Sequence, residues 1–593
     1  MSDECPNERR ERRRIGWVCA FLSMGFLGLA VRLVWVQWVQ HDFWAARARK
    51  GQERRQTVAA ERGTIRDRNG SVLAMNADAW SIFVRPADVR HPEEVARRLL
   101  PVADPRRVLK KLRATRQPFV YIARETDEAF AESVRRSPPS GVGVESESGR
   151  YYPKRSLVGQ VIGVAGVDNN GLEGVELQHD AQLRGQDNRR IVQRDAHGRS
   201  VFPEGFEYAP APHGDDVVLA IDEVIQHVAE RELGIAIEKS EAKNGGVAIV
   251  MNPHNGEILA MAILPRVNPN AIRRQRPDDR RNRAITDLYE PGSTFKIVTA
   301  AAALAAGVVY PEEWIDCEQG AYRVPGAGRA VLHDHLPVGV VPFRQVVARS
   351  SNIGMAKIAE RLGPTRLAES IRAFGFGERL GIDLKGERAG QVHDRARWSG
   401  RSLASVAIGQ EIGVTPLQMA SAMSVIANGG WLMSPRIALS VPCVTTVCSE
   451  AELDRDPMPL RRVIPTEVSQ QMTRILEEAA SLDGTGRRAM IPGYRVAGKT
   501  GTAQKIDPAT GRYFSDRAVS SFVGFAPADR PAVVILVVID EVPGHGWGGE
   551  VAAPVFSAIG AEVLHYLRIP PDPTIANPPA GDSGSASSTG RGV

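Results

Sequence analysis

Glu290-Pro291-Gly292-Ser293-Thr294-Phe295-Lys296 runs directly into an alanine-rich stretch, Ile297 to Ala306, that stops at Gly307. A Pro-Gly turn here hands over to a helix, and the serine stands at the handover. The lysine three residues on shares its helical face. Together they supply a nucleophile at the positive end of a helix and an amine able to take its proton, once burial and neighbouring charge lower the amine's pKa. Arginine cannot do that work, because it does not deprotonate in proteins. The choice is informative in this chain, where only 11 of the 75 basic residues are lysine.

Spacing alone does not single out Ser293, since Ser240-Glu241-Ala242-Lys243 is a second S-x-x-K. That copy ends a helix ahead of Asn244-Gly245-Gly246, where the dipole opposes a nascent anion and nothing apolar desolvates the lysine, so it reads as solvated surface. Further along, Ser350-Ser351-Asn352 is the only S-x-N in the chain; it closes one helical run and opens the next. Lys499-Thr500-Gly501, followed by Thr502, is the only K-T-G and lies in a segment with strand character. In this order the three motifs provide a nucleophile, a relay hydroxyl, an amide to hold a peptide and a strand edge to present it. His333-Asp334-His335 lacks a third spaced ligand for a metal and reads as a loop near the cleft.

Composition sets the frame around these motifs. With 593 residues, 43% hydrophobic and 24% charged, the chain has the material for two to four domains with real cores, and is neither disordered, collagen-like nor disulfide-stapled. A net charge of +6 over this length does not mark a nucleic-acid binder. The five cysteines, Cys5, Cys19, Cys317, Cys443 and Cys448, form no zinc pattern. Cys443 and Cys448 are near enough in sequence for a small-loop disulfide, or stand as two thiols on a loop.

At the N-terminus, Ile15 to Val31 is uncharged, Arg32 interrupts, and apolar character resumes through Val39 with Trp35 and Trp38. This length crosses a bilayer and exceeds the apolar core of a cleaved signal peptide, so it reads as an uncleaved anchor. Arg9, Arg10, Arg12, Arg13 and Arg14 before it place the N-terminus in the cytoplasm and the body outside. The expected organisation is a basic tail at 1–14, the anchor at 15–39, an extended Arg-rich α+β module at 40–215, a second α+β domain at 216–568 and a disordered Pro/Gly/Ser tail at 569–593. In the second domain, Gly246 to Ile263 reads as a hairpin divided at Asn252-Pro253-His254-Asn255-Gly256. Strands return at Arg495 to Lys505, Ser520 to Ala526 and Ala532 to Asp540, and Ala552 to Leu567 reads as a closing helix. Strands at both ends with helices between them imply one antiparallel sheet assembled from the two termini.

With these residues in place the chain resembles the penicillin-binding proteins, specifically class B transpeptidases of the division (FtsI-like) type. The likeness extends to Arg62-Gly63-Thr64-Ile65 with Asp67-Arg68-Asn69-Gly70, similar to the start of the family's pedestal (dimerisation) domain. Gly171-Leu172-Glu173-Gly174-Val175-Glu176 is similar to its second marker, and Gly548-Gly549-Glu550-Val551-Ala552-Ala553-Pro554-Val555-Phe556 to its closing segment. No glycosyltransferase segment separates anchor from pedestal, which argues against a bifunctional class A enzyme.

The resemblance implies a five-stranded antiparallel sheet flanked by helices and a set of roles. Ser293 would be the acylated nucleophile attacking a D-Ala-D-Ala stem peptide, Lys296 its general base, Ser350 a proton relay, Asn352 a substrate ligand and Lys499 a local charge. The N–H groups of Ser293 and Thr502 would form the oxyanion hole, and Thr500 and Thr502, flanking Gly501, would bind the terminal carboxylate. An amine from a neighbouring stem would accept the acyl group, and β-lactams would acylate the same serine. No cofactor or metal enters that chemistry. Glu290 reads as an acid at the helix start rather than a deacylating base, because a transpeptidase must keep water from its acyl-enzyme. Expected partners are peptidoglycan stems, β-lactams, a SEDS-type (FtsW-like) glycan polymerase and other divisome membrane proteins, with no nucleic acid. The expected setting is the septum and inner membrane, with a periplasmic body. An elongation-type enzyme, a β-lactam sensor or hydrolase, and a silent scaffold on the same fold are the alternatives.

Overall fold

The computed structural model describes residues 6–58, 60–114, 117–185, 188–194, 200–201, 213–329, 331–440, 459–506 and 512–575. Cys5, Cys443, Cys448 and the tail from 576 onward lie outside the described residues. The chain forms two units, one of Met1–Glu61 with Gly185–His213 and one of Arg62–Arg184 with Gly214–Val593.

In the first unit, helix Pro6–Val34 passes into a π-helical turn, Trp35–Val39. Within Arg10–Val39 an 18-residue window has mean hydropathy 1.9 with none of it buried, so the helix is long and apolar enough to cross a membrane. Gln40 breaks the helix, a second helix covers His41–Gln52, and strand Glu53–Val58 pairs antiparallel with Asn188–Arg194.

The second unit is built on one five-stranded sheet. Its strands are β1 (Gly246–Met251), β2 (Ile258–Leu264), β3 (Ala497–Ile506), β4 (Tyr513–Ala526) and β5 (Val533–Pro543), in the order β2-β1-β5-β4-β3 with every pair antiparallel. The expected sheet joined from both ends of the domain is therefore present. Side chains alternate between two cores along β1 and β5. Val247, Ile249, Met251, Val534, Leu536 and Val538 enter one, while Ala248, Val250, Ile535, Val537 and Ile539 enter the other. Both faces are covered, which is why these strands are apolar at every position instead of every second one.

Helices α1 (Glu223–Ser240) and α6 (Gly548–Tyr566) cover one face. On the other lie α2 (Lys296–Ala305), α3 (Asn352–Leu362), α4 (Pro416–Ala427) and α5 (Thr466–Ala480). Their starts follow from local chemistry. Asp222 accepts the N–H groups of Val224 and Ile225 ahead of α1, and Thr415 with Gln418 forms a reciprocal capping box ahead of α4, whose first residue is Pro416. The turn between β1 and β2 closes at Gly256, where φ is +75° and a Cβ would lie 2.2 Å from the Ser434 carbonyl oxygen. The closing helix α6 begins at Gly548, four residues before the apolar run that marks it in sequence. The glycine pair carries no apolar signal and is required by close approach: a Cβ on Gly548 would lie 2.3 Å from the Gly501 oxygen, and one on Gly549 2.4 Å from the Thr485 oxygen.

The pedestal part of this unit centres on strand Val72–Val84, paired with Val142–Tyr151 and Val120–Thr126 and packed under helices Pro92–Arg98, Pro105–Ala114 and Glu128–Arg136. The two sequence segments that mark the pedestal meet each other. Arg62 Nε lies 2.5 Å from Glu176 Oε2, Arg150 Nε lies 2.7 Å from Glu176 Oε1, and Arg62 also reaches Asp180 at 2.7 Å. Asp67 accepts the N–H groups of Asn69, Ser71 and Glu223, while Asn69 donates to Asp222, tying the Asp67–Gly70 turn to the start of α1.

Candidate active site

Ser293 sits in a 3-10 turn, Gly292–Phe295, that leads into α2. Residues i and i+3 eclipse in such a turn, which brings Ser293 and Lys296 into line more closely than a regular α-helix does. The turn is clamped from two sides. Gly292, at φ +53°, has room only for a hydrogen because a Cβ would lie 2.8 Å from the Thr502 oxygen on β3. Its N–H donates to the Gly409 carbonyl at 3.1 Å, and a Cβ on Gly409 would lie 2.2 Å from the Gly292 oxygen. The serine backbone is thus fixed against β3 before any ligand binds.

Lys296 is fully buried. Its Nζ donates to the Ser350 carbonyl at 2.6 Å, to Ser350 Oγ at 3.1 Å and to Asn352 Oδ1 at 2.7 Å, so the S-x-x-K and S-x-N motifs meet at this amine; Ser293 is not among its acceptors. Burial, reinforced by the nearby Lys499 cation, holds the Lys296 pKa well below the usual lysine range, with Asp334 opposing. Ser350 occupies the left-handed region at φ +62°, a conformation costing a non-glycine residue about 1–3 kcal/mol, in the break between helix Phe343–Ala348 and α3. Lys499 is likewise fully buried and pushed down to about 7 by desolvation.

The K-T-G strand completes the cluster. Gly501 abuts the serine turn, where a Cβ would lie 2.7 Å from Thr294 Cγ2 and 2.4 Å from Ser521 Oγ. Thr500 Oγ1 is 2.9 Å from Thr485 Oγ1. Thr502 Oγ1 accepts the Gly548 N–H at 3.0 Å, which leaves the hydroxyl proton for an acceptor on a ligand. All eight residues singled out in sequence, Ser293, Lys296, Ser350, Asn352, Lys499, Thr500, Gly501 and Thr502, are therefore brought together around the serine turn.

Sequence gave no role to Asp334, and the structure supplies one. Its Oδ1 accepts the N–H groups of Asn352 at 2.5 Å and Ile353 at 3.0 Å, and its Oδ2 accepts Ser351 Oγ at 2.7 Å. Asn352 Nδ2 in turn donates to the His333 carbonyl at 2.8 Å. Asp334 therefore caps α3 and orients the S-x-N motif. The next residue, His335, packs its ring 4.0 Å from that of Trp547, the residue before α6, and His545 stacks on the same indole. Gly409, Thr485 and Trp547 complete the set that no local pattern flagged.

Residues 246–561 match the family described as the penicillin binding protein transpeptidase domain. The chain belongs to the penicillin-binding proteins. Residues 57–219 match the penicillin-binding protein dimerisation domain, and this order of the two domains is the class B arrangement. Stage V sporulation protein D of Bacillus subtilis is 36% identical over 569 residues, covering 94% of this chain and 86% of that protein. Peptidoglycan D,D-transpeptidase FtsI of Escherichia coli is 33% identical over 568 residues, covering 94% and 92%. Among solved structures, penicillin-binding protein 3 of Mycobacterium tuberculosis in complex with aztreonam superposes with a TM-score of 0.67 at 31% identity, covering 88% of this chain and 99% of that one.

In this penicillin-binding protein Glu290 is engaged on both oxygens. Oε1 accepts the Glu411 N–H and Oε2 accepts the Tyr513 hydroxyl, each at 2.9 Å, while burial raises its pKa. It braces the chain ahead of the serine turn, as an acid at the helix start does.

Asp334 offers a test of how the site is tuned. Asp334→Asn keeps an acceptor oxygen but removes a negative charge that holds the Lys296 proton on, so the rising limb of penicillin acylation against pH moves to lower pH. Loss of the charged cap costs about 1 kcal/mol. An unmoved limb in stopped-flow acylation would show that Asp334 acts on the S-x-N backbone alone.

Proposed function

We propose that this chain is a membrane-anchored peptidoglycan D,D-transpeptidase that cross-links stem peptides at the division septum. The observation that carries the reading is the buried Lys296 amine, its pKa held well below the usual lysine range by burial and by Lys499, hydrogen-bonded to Ser350 and Asn352 and one turn from Ser293. Neutral Lys296 takes the proton of Ser293 as its Oγ attacks the carbonyl of the penultimate D-Ala. The N–H groups of Ser293 and Thr502 stabilise the oxyanion. Ser350 passes the proton on to the departing D-Ala amine, with Lys499 biasing the local charge. Asn352 holds the peptide, and the Thr500 and Thr502 hydroxyls hold the terminal carboxylate. The acyl group then passes to an amine of a neighbouring stem. A β-lactam follows the same first step and stays bound.

Residues 15–39 are the anchor, and Arg9, Arg10, Arg12, Arg13 and Arg14 ahead of them favour a cytoplasmic N-terminus, an inner-membrane location and a periplasmic body. A SEDS-type polymerase and other divisome membrane proteins are the partners this arrangement calls for. Identity to FtsI over nearly the whole chain supports the septal role. The 36% identity to a sporulation protein favours, as a second reading, a sporulation-type enzyme of the same chemistry.

Two measurements test this. Digestion of the penicillin-treated protein should place a single adduct on the peptide bearing Ser293; an adduct elsewhere, or none on folded protein, would overturn the mechanism. Depletion in the native cell should give filaments. Rounded cells would assign an elongation role, and a defect confined to spores the second reading.

A further inference from the structure

Three residues ahead of Ser293 stands a carboxylate that the acylation chemistry leaves unused. An acid beside an acyl-enzyme is a hazard to a transferase, because it is the kind of group that takes a proton from water as the water attacks the ester. Glu290 is such an acid. Burial raises its pKa, which strengthens it as a base near neutrality, and the two hydrogen bonds it accepts oppose that shift.

Those two bonds come from different parts of the fold. Oε1 accepts the N–H of Glu411, a residue held at φ +57° two positions after the Gly409 that clamps the serine turn. The Glu411 carboxylate is itself occupied, accepting the Ser402 hydroxyl at 2.6 Å. Oε2 accepts the hydroxyl of Tyr513. Tyr513 is the first residue of β4 and lies opposite Ile506, four residues along β3 from Thr502. At about 3.3 Å per residue that is roughly 13 Å of strand beyond the Thr502 N–H. The tyrosine therefore ties the carboxylate to the end of the β3–β4 pair beyond Thr502, and its O–H occupies the oxygen that Glu411 leaves open. Packing does not account for a tyrosine at this place, since it is 44% exposed and the strand register is carried by main-chain bonds.

We propose that Tyr513 is the positioning residue that makes water a poor acceptor: by holding Glu290 it denies the acyl-enzyme a base for hydrolysis and leaves the acyl group to an amine. The proposal rests on Ser293 being the acylated residue. The step it suppresses is ester hydrolysis. The water oxygen bonds to the acyl carbon as Glu290 takes a water proton, the bond from that carbon to Ser293 Oγ breaks, Oγ recovers the proton from Glu290, and the free acid departs.

The test follows the penicilloyl adduct of the full chain by intact mass after free penicillin is removed. In Tyr513→Phe, loss of the adduct is expected to speed up about ten-fold or more, with penicilloic acid as the product. That rate should rise with pH as one carboxyl group gives up its proton. The titratable groups around this carboxyl are Tyr513 and Glu411, with Arg401 beside Tyr513, and the substitution alters Tyr513 alone. Glu290→Gln/Tyr513→Phe should return to the slow native rate, and Glu290→Gln by itself should keep it. Acylation of Ser293 in each variant reports a folded site. An adduct lost no faster from Tyr513→Phe than from the native chain overturns the proposal. So does an adduct lost faster from the double variant as well, because water then enters through a loosened hairpin without help from Glu290. No adduct on the folded native chain overturns the acylation reading itself, and the proposal with it.

Discussion

Lys296→Arg and Lys296→Met both lose acylation by penicillin, by about 10²- to 10⁴-fold in the second-order rate, although one keeps the charge and the other nearly the volume. The expectation follows from what surrounds the amine. Three acceptors, Ser350 O, Ser350 Oγ and Asn352 Oδ1, are within 3.1 Å of a fully buried Nζ, and desolvation with the Lys499 charge disfavours the protonated form. A guanidinium cannot release its proton, and a thioether has none to exchange. If Lys296→Arg kept activity while Lys296→Met lost it, charge alone would be the requirement and the general-base role would fall.

The pH dependence adds a sign. In the native chain acylation rises as Lys296 deprotonates, with a midpoint well below 10.5. Lys499→Met removes the cation that helps expel that proton, so the limb moves to higher pH, opposite to the shift from Asp334→Asn. Stability carries the same signature. Lys499 titrates near 7 when folded and near 10.5 when unfolded, so between those values the unfolded chain binds more protons and stability rises with pH. Denaturant midpoints measured from pH 7 to 10 in the native chain and Lys499→Met check it; equal slopes would place Lys499 in water.

What could be read in the sequence was what is local. Ser293 with Lys296, Ser350 with Asn352, and Lys499 to Thr502 are short spacings, and the apolar runs at Gly246 to Ile263 and Ala532 to Ile539 announced a sheet built from both ends. Position relative to a helix also separated Ser293 from Ser240, whose Lys243 is exposed. What escaped was created by closure of the chain. Asp334 caps a helix that starts 18 residues later, Gly409 presses on Gly292 from over a hundred residues away, and Thr485 meets Thr500 only because α5 delivers it to β3. None of these contacts has a period or spacing to detect. The glycines at 548 and 549 show the same limit. A missing Cβ is needed there because two backbones converge, and that convergence is a property of the fold.

The same logic makes Glu176 a vulnerable position far from Ser293 in sequence. Two segments that sequence comparison of motifs would treat as separate markers, Arg62-Gly63-Thr64-Ile65 and Gly171 to Glu176, are two sides of one buried charge cluster. Glu176 is fully buried between Arg62 and Arg150, whose side chains are 1% and 4% exposed, and it also accepts the Tyr152 hydroxyl. Asp180, the other acid of the cluster, is partly solvated; it pairs with Arg62 and also accepts the Gly171 N–H. Glu176→Gln leaves two buried guanidiniums facing a neutral amide, and Arg150 already has one nitrogen without a partner. Breaking a buried pair from one side costs about 3–5 kcal/mol, far more than a surface pair, because the stranded charge keeps its desolvation penalty. Denaturant unfolding of Glu176→Gln should register that loss. Arg62→Met introduced on top of it should recover part, since the double variant removes one of the stranded cations along with its partner. A loss under about 1 kcal/mol, or a double variant worse than the sum of the singles, would mean that water or Asp180 already satisfies these arginines, and that the two markers are held together by their apolar neighbours Val161, Val175 and Leu183 rather than by charge.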